Sequence, residues 1–159
     1  MNSCVRSFDP IGDKGATVLI LGTMPSKKSL SEGEYYANRQ NVFWRLMGEL
    51  FGAMPDMEYG HRQSILAAKG VAIWDVVRKC RRQGSSDSNI ENESIVFNDF
   101  FSVQGISFWN ALKPFFTNIC KRRFHDAILE IEISKEIISK NKFHAIIVWS
   151  ESGFNEQII

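Results

Sequence analysis

Ala16-Thr17-Val18-Leu19-Ile20-Leu21-Gly22 is a short apolar run, rich in β-branched residues and closed by a glycine. It reads as a buried strand of a parallel sheet. Gly70-Val71-Ala72-Ile73-Trp74-Asp75-Val76-Val77 and His144-Ala145-Ile146-Ile147-Val148-Trp149 have the same character, and residues 106–109 read as a shorter strand. Between the strands lie helical patterns. Residues 42–51 carry Phe43, Leu46, Met47 and Leu50 on one stripe, with Gly52 as the stop. Residues 63–69 read as a second helix with Ile65, Leu66 and Ala68 inward, and residues 96–103 and 127–139 read as two more, with Pro114 breaking or opening a helix between them. Residues 23–40 and 78–92 are polar and read as loops. Strands alternating with helices imply an α/β fold: a single three-layer α/β/α domain with a short, mostly parallel central sheet.

The composition fits one globular core in 159 residues, with 44% hydrophobic and 23% charged residues. No apolar run reaches the roughly 18 residues of a membrane span, and the first 14 residues hold no apolar stretch behind a basic start. The expectation is a cytoplasmic, monomeric protein that does not engage membranes. Cys4, Cys80 and Cys120 are far apart, as are His61, His125 and His144, so no zinc, iron–sulfur or disulfide pattern is present and no cofactor or metal is expected. A net charge of +1 leaves nucleic acid open, because phosphate binding depends on local patches. Lys27-Lys28, Arg78-Lys79 with Arg81-Arg82, and Lys121-Arg122-Arg123 form three such patches, each also readable as a solvated face.

In open α/β sheets ligands sit at the carboxyl ends of the strands. Three polar segments gather there: residues 23–41, 75–89 and 150–155. The first, with its flanks, runs G-T-M-P-S-K-K-S-L-S-E-G-E-Y-Y-A-N-R-Q-N-V-F-W from Gly22 to Trp44. It resembles the first motif of the mismatch-specific and hypoxanthine-DNA glycosylases of the uracil-DNA glycosylase superfamily. The second, Trp74-Asp75-Val76 followed by Cys80, Arg82, Gly84-Ser85, Asp87-Ser88 and Ile90, resembles the corresponding stretch of the hypoxanthine branch. The third, Ser150-Glu151-Ser152-Gly153-Phe154-Asn155, departs from the S-T-S-P-A-N loop of that branch. It has no proline, and Glu151 adds a negative charge near DNA. The expectation is a truncated or degenerate C-terminal loop, with weaker excision from paired duplex than from mismatched or single strands.

The resemblance implies a monofunctional glycosylase that acts on damaged DNA, flips a deaminated base out of the helix and hydrolyses its bond to the sugar. Where mismatch-specific enzymes place a water-positioning asparagine, this chain has Met24. The hypoxanthine branch relies instead on the asparagine at the place of Asn41. Read from the residues alone, Asn41 caps the helix beginning at Val42; the resemblance makes it catalytic, with Asp75 as its partner in chemistry or base recognition. Gly22, Thr23, Met24, Tyr36 and Phe43 are the candidate base-binding residues, with Tyr36 the stacking face and Trp44 core. Pro25, Lys27, Lys28, Ser29, Ser85, Ser86, Ser150, Ser152 and Asn155 are the candidate DNA contacts. Two other readings stay open: a catalytically weak or inactive DNA-binding relative, and a small nucleotide-binding α/β module. The second lacks both G-x-G-x-x-G and the P-loop motif.

Overall fold

The computed structural model of the chain describes residues 3–12, 15–91, 96–97 and 145–148. The strand at residues 106–109, the helix at 127–139, Pro114, the basic cluster at 121–123 and Ser150, Ser152 and Asn155 all lie outside the described residues.

The two apolar runs form β2 (Val18–Gly22) and β3 (Val71–Asp75), paired in parallel with Val18 opposite Val71 and Gly22 opposite Asp75. β6 (Ala145–Val148) lies parallel on the other side of β2. This gives a parallel sheet in the order β3–β2–β6. β-Branched and other apolar side chains alternate across such strands and need cover on both faces. On one face Val18, Ile20, Val71 and Ile73 meet the helices; on the other Leu19, Leu21, Ala72 and Trp74 are buried as well.

α2 (Phe43–Phe51) ends at Gly52, whose φ of 83° is a left-handed cap conformation that favours glycine. Its buried side chains are Phe43, Trp44 and Met47, whereas Leu50 is 61% exposed. The inward stripe is therefore rotated by one residue from the expected one, because Trp44 is drawn into the core by its indole N–H donating to the Tyr35 carbonyl (2.7 Å). α3 (Tyr59–Ala68) begins four residues earlier than its apolar pattern indicates, and Ala68 is exposed. Arg62 explains the extension. Its guanidinium lies 4.4 Å from the Trp44 ring and 5.1 Å from that of Tyr59. It also donates to Met57 O (3.0 Å) and to the Glu34 carboxylate (2.9 Å). Tertiary contacts thus carry a turn that has little hydrophobic signature of its own.

Two expected loops contain regular structure. Residues 23–40 hold α1 (Lys27–Glu32), capped by Ser26, whose Oγ accepts from Ser29 N (3.1 Å), and stopped by Gly33. Residues 78–92 begin as β4 (Val77–Arg82), which pairs antiparallel with β1 (Ser3–Arg6). Val77, Cys80 and Arg82 face inward while Lys79 and Arg81 face water, so basic residues on one face hid a strand. Val96–Phe97, read as the start of a helix, is β5, an antiparallel partner of β4; pairing with a distant segment overrides local pattern. The second sheet has the order β1–β4–β5.

The Tyr59 phenol is pushed up to about 12, chiefly by burial, with the Tyr35 N–H bond to its oxygen opposing the rise. An unfolded tyrosine titrates near about 10. The unfolded chain therefore loses this proton first as pH rises, and the stability that the neutral phenol contributes below pH ~10 is lost on the way to pH ~12. Denaturant midpoints measured from pH 8 to 12 are expected to fall in that window, and less steeply in Tyr59→Phe. An equal slope in both would place the alkaline loss elsewhere.

Candidate active site

β2 and β3 end side by side, and their ladder runs on past the last strand residues. Val76 N–H donates to Gly22 O (2.9 Å) and Val77 N–H to Thr23 O (3.1 Å). This fixes Gly22, Thr23 and Asp75 at the carboxyl edge of the sheet. Asp75 is only 3% exposed, so its carboxylate needs partners. Ser7, in the segment after β1, donates its hydroxyl to Asp75 Oδ2 (2.7 Å). Oδ1 lies against Gly22, so closely that a Cβ there would overlap it, and the same Cβ would come within 3.2 Å of the Tyr36 hydroxyl. Glycine at position 22 is what lets carboxylate, phenol and backbone meet.

Tyr36 comes from the loop between α1 and α2 and adopts a φ of 55°, a left-handed conformation uncommon in a bulky residue. Its ring packs on Phe43 with centroids 4.0 Å apart and an interplanar angle of 31°. Both rings are buried, so Tyr36 is a packed wall and not an exposed loop tyrosine. Its neighbour Tyr35 is buried beside Ser7 and Asp75. Burial first, and then the Asp75 charge, push its phenol well above the usual tyrosine range, while the Ser7 hydroxyl and the Asp75 backbone act against that rise.

Asn41 lies two residues before the first residue of α2. Its Oδ1 accepts the N–H of Phe43 (2.9 Å), the first residue of the helix, and it is 8% exposed. The bond does the work of a cap and also holds the amide in one plane beside the Phe43–Tyr36 pair. Phe43 in turn packs on Tyr36, whose hydroxyl lies near Gly22 and Asp75. Met24 takes no part in this group. It is buried with Val77, Cys80 and Ile90 in a smaller apolar cluster, where a thioether packs well, so its proposed contact with a base is corrected to a core role.

The candidate DNA contacts divide by exposure. Ser29 is fully buried: its Oγ accepts from Ala37 N (3.2 Å) and from the Ser26 hydroxyl (3.1 Å), and its carbonyl closes the end of α1. It is a scaffold residue, not a phosphate contact. Pro25 is buried too, and its carbonyl accepts from the Arg82 guanidinium. Lys27, Lys28, Ser85 and Ser86 are exposed, and Lys27 N–H donates to Ser85 Oγ (2.9 Å), so the two loops form one edge. Lys28 is paired with Glu32 (2.6 Å). Arg82 is the residue the basic-patch reading misplaced. It is buried and ties Pro25 O to Ser85 O (3.2 Å) and to the Asp87 carboxylate (3.4 Å), which holds the two loops together. Arg78 and Arg81 pair with Asp9 and Glu91, as solvated strand residues do. Among the described residues no group of three His, Cys, Asp or Glu side chains is placed to hold a metal ion, and no helix is long and apolar enough to cross a membrane.

A buried carboxylate and a glycine thus meet at the strand ends of a parallel sheet. Residues 10–143 match the Uracil DNA glycosylase superfamily, and the chain belongs to it. Its relatives include a hypoxanthine DNA glycosylase of Methanosarcina acetivorans, 40% identical over 100 residues that make up 62% of each chain. A second, from Methanosarcina barkeri, is 33% identical over 91 residues, 57% of this chain and 58% of the relative. The matched stretch thus spans about three fifths of these curated relatives. A Methanosarcina acetivorans structure solved by solution NMR, a candidate uracil DNA glycosylase, superposes with a TM-score of 0.54 at 27% identity, covering 88% of this chain and 98% of that one. The α/β fold with its glycosylase-like sheet is that of the superfamily.

Proposed function

We propose that the chain is a monofunctional DNA glycosylase that excises a deaminated base, hypoxanthine first among them, by hydrolysis of the N-glycosidic bond. The observation that supports this reading is the meeting of Gly22, Asp75 and Tyr36 at the strand ends, with Asn41 tied to Phe43, together with relatives named hypoxanthine DNA glycosylase. Loss of a base leaves a cation-like sugar, and an attacking water must be aligned with it. The Asn41 amide, held in plane by Phe43 N–H, is suited to orient that water without itself titrating. The Asp75 carboxylate, when ionised, accepts hydrogen bonds only. Hypoxanthine, uracil and xanthine each present a ring N–H to such an acceptor, whereas adenine and cytosine present a ring nitrogen lone pair. The site therefore favours hypoxanthine over adenine and uracil over cytosine, whereas guanine carries the same ring N–H as xanthine and is not told apart from it by this contact. Tyr36 on Phe43 forms a flat wall for the flipped base.

The test is a panel of duplexes and single strands carrying one hypoxanthine, uracil, xanthine or adenine. Release of the first three, with none of adenine, is expected. Tight binding without release of any base would favour the reading as an inactive DNA-binding relative. DNA is expected to lie along the edge that carries Lys27, Lys28, Ser85 and Ser86. Lys27→Ala should weaken binding to all duplexes alike and flatten its salt dependence by about one ion. Lys28→Ala should do less, because Glu32 already offsets its charge. An unchanged salt slope in both variants would put this edge outside the footprint.

A further inference from the structure

The Asp75 carboxylate is served by a residue 68 positions away. We propose that Ser7 is a positioning residue that locks this carboxylate, with Oδ2 engaged by the serine hydroxyl and Oδ1 turned toward Gly22. The inference rests on the reading of Asp75 as the group that meets the base.

The segment that presents Ser7 is pinned at both ends. Ser7 N–H donates to Arg78 O (2.9 Å), extending the β1–β4 ladder by one residue. Arg78 also donates to Phe8 O (3.0 Å), and Ile11 exchanges two backbone hydrogen bonds with Ile73 (3.0 Å each). Phe8 closes edge-on against the Tyr35 ring, with centroids 5.1 Å apart. The serine hydroxyl therefore has a fixed origin, and the backbone, not a flexible loop, aims it. Among the described residues, Gly22 at the end of β2, Ser7, and Tyr35 and Tyr36 from the loop before α2 lie against the carboxylate. Burial holds the Tyr35 phenol neutral. A hydroxyl donated to a carboxylate favours its charged form and restricts its rotation. Without Ser7 the carboxylate would lose the bond that fixes Oδ2.

The experiment is a double-mutant cycle on the full chain with Ser7→Ala, Asp75→Asn and the pair. Two quantities are read: kcat/KM on hypoxanthine-containing DNA and the carboxyl ¹³C titration of Asp75. Ser7→Ala is expected to lower kcat/KM roughly tenfold, as loss of a hydrogen bond to a charged group does, with nonspecific duplex binding unchanged. In the Asp75→Asn background the same change should have almost no further effect. The Asp75 titration midpoint should rise in Ser7→Ala, because a hydrogen bond to the charged form is lost. An unmoved midpoint, or an equal loss in both backgrounds, overturns the proposal and makes Ser7 a filler of the core. The titration needs no turnover. A chain that excises nothing but shows the raised midpoint refutes the glycosylase reading and still supports the lock on Asp75.

Discussion

Asn41→Ala is expected to lower base excision by roughly 10²–10³-fold, the usual cost of removing a group that stabilises or aligns the reacting centre. The same substitution removes the acceptor for Phe43 N–H and should cost about 0.5–2 kcal/mol of stability, as loss of a helix cap does. The two effects can be separated. Asn41→Ser keeps an oxygen able to accept from the start of α2 but lacks the amide. It should restore the melting temperature and leave excision low. A serine variant that regains near-normal excision would show that Asn41 matters only as a cap. Rates come from single-turnover excision and stabilities from denaturant unfolding, with both variants in the same buffer.

Gly22→Ala is expected to have the second largest effect. The new methyl would overlap the Asp75 carboxylate and press on the Tyr36 hydroxyl, neither of which is the loose end of an exposed side chain. Overpacking of this kind costs about 1–3 kcal/mol. Because the displaced group is the one proposed to meet the base, excision is expected to fall at least as far as in Asp75→Ala. A Gly22→Ala protein with wild-type melting and wild-type excision would mean that Asp75 swings aside without consequence, and its assignment to the base site would fail.

The parallel sheet and α2 were legible in the sequence because their signals are local. Apolar runs mark β2, β3 and β6, and a helical stripe closed by Gly52 marks α2. β1 and β4 were not legible, since β4 alternates Val77, Cys80 and Arg82 with lysine and arginine, and an inward arginine looks like one more surface charge. Arg82 can be buried only because carbonyls of Pro25 and Ser85 and the carboxylate of Asp87 accept from it, and Pro25 is 57 residues distant. α1 carried a readable signature, Ser26 before the helix and Gly33 after it, that the polar composition obscured. Asn41 and Asp75 were singled out from their motifs; the structure shows Asn41 bonded to Phe43 N–H and Asp75 buried against Gly22. Ser29 and Met24 were misassigned for one reason: sequence shows which residues flank a motif, not which way each side chain turns. Ser7 had no motif at all, and only the fold brings it to Asp75.

Hydrolytic removal of a base is tested most directly by following one labelled strand that carries a single hypoxanthine, as single-stranded and as mismatched DNA. The strand is incubated with the chain in the presence of EDTA and then divided, with and without hot alkali. Expected are free hypoxanthine in solution, an intact strand before alkali, a break at the lesion after it, and no protein–DNA adduct on borohydride treatment. Activity that disappears with EDTA and returns with one metal, a borohydride-trapped adduct, or no free base from either substrate would contradict it.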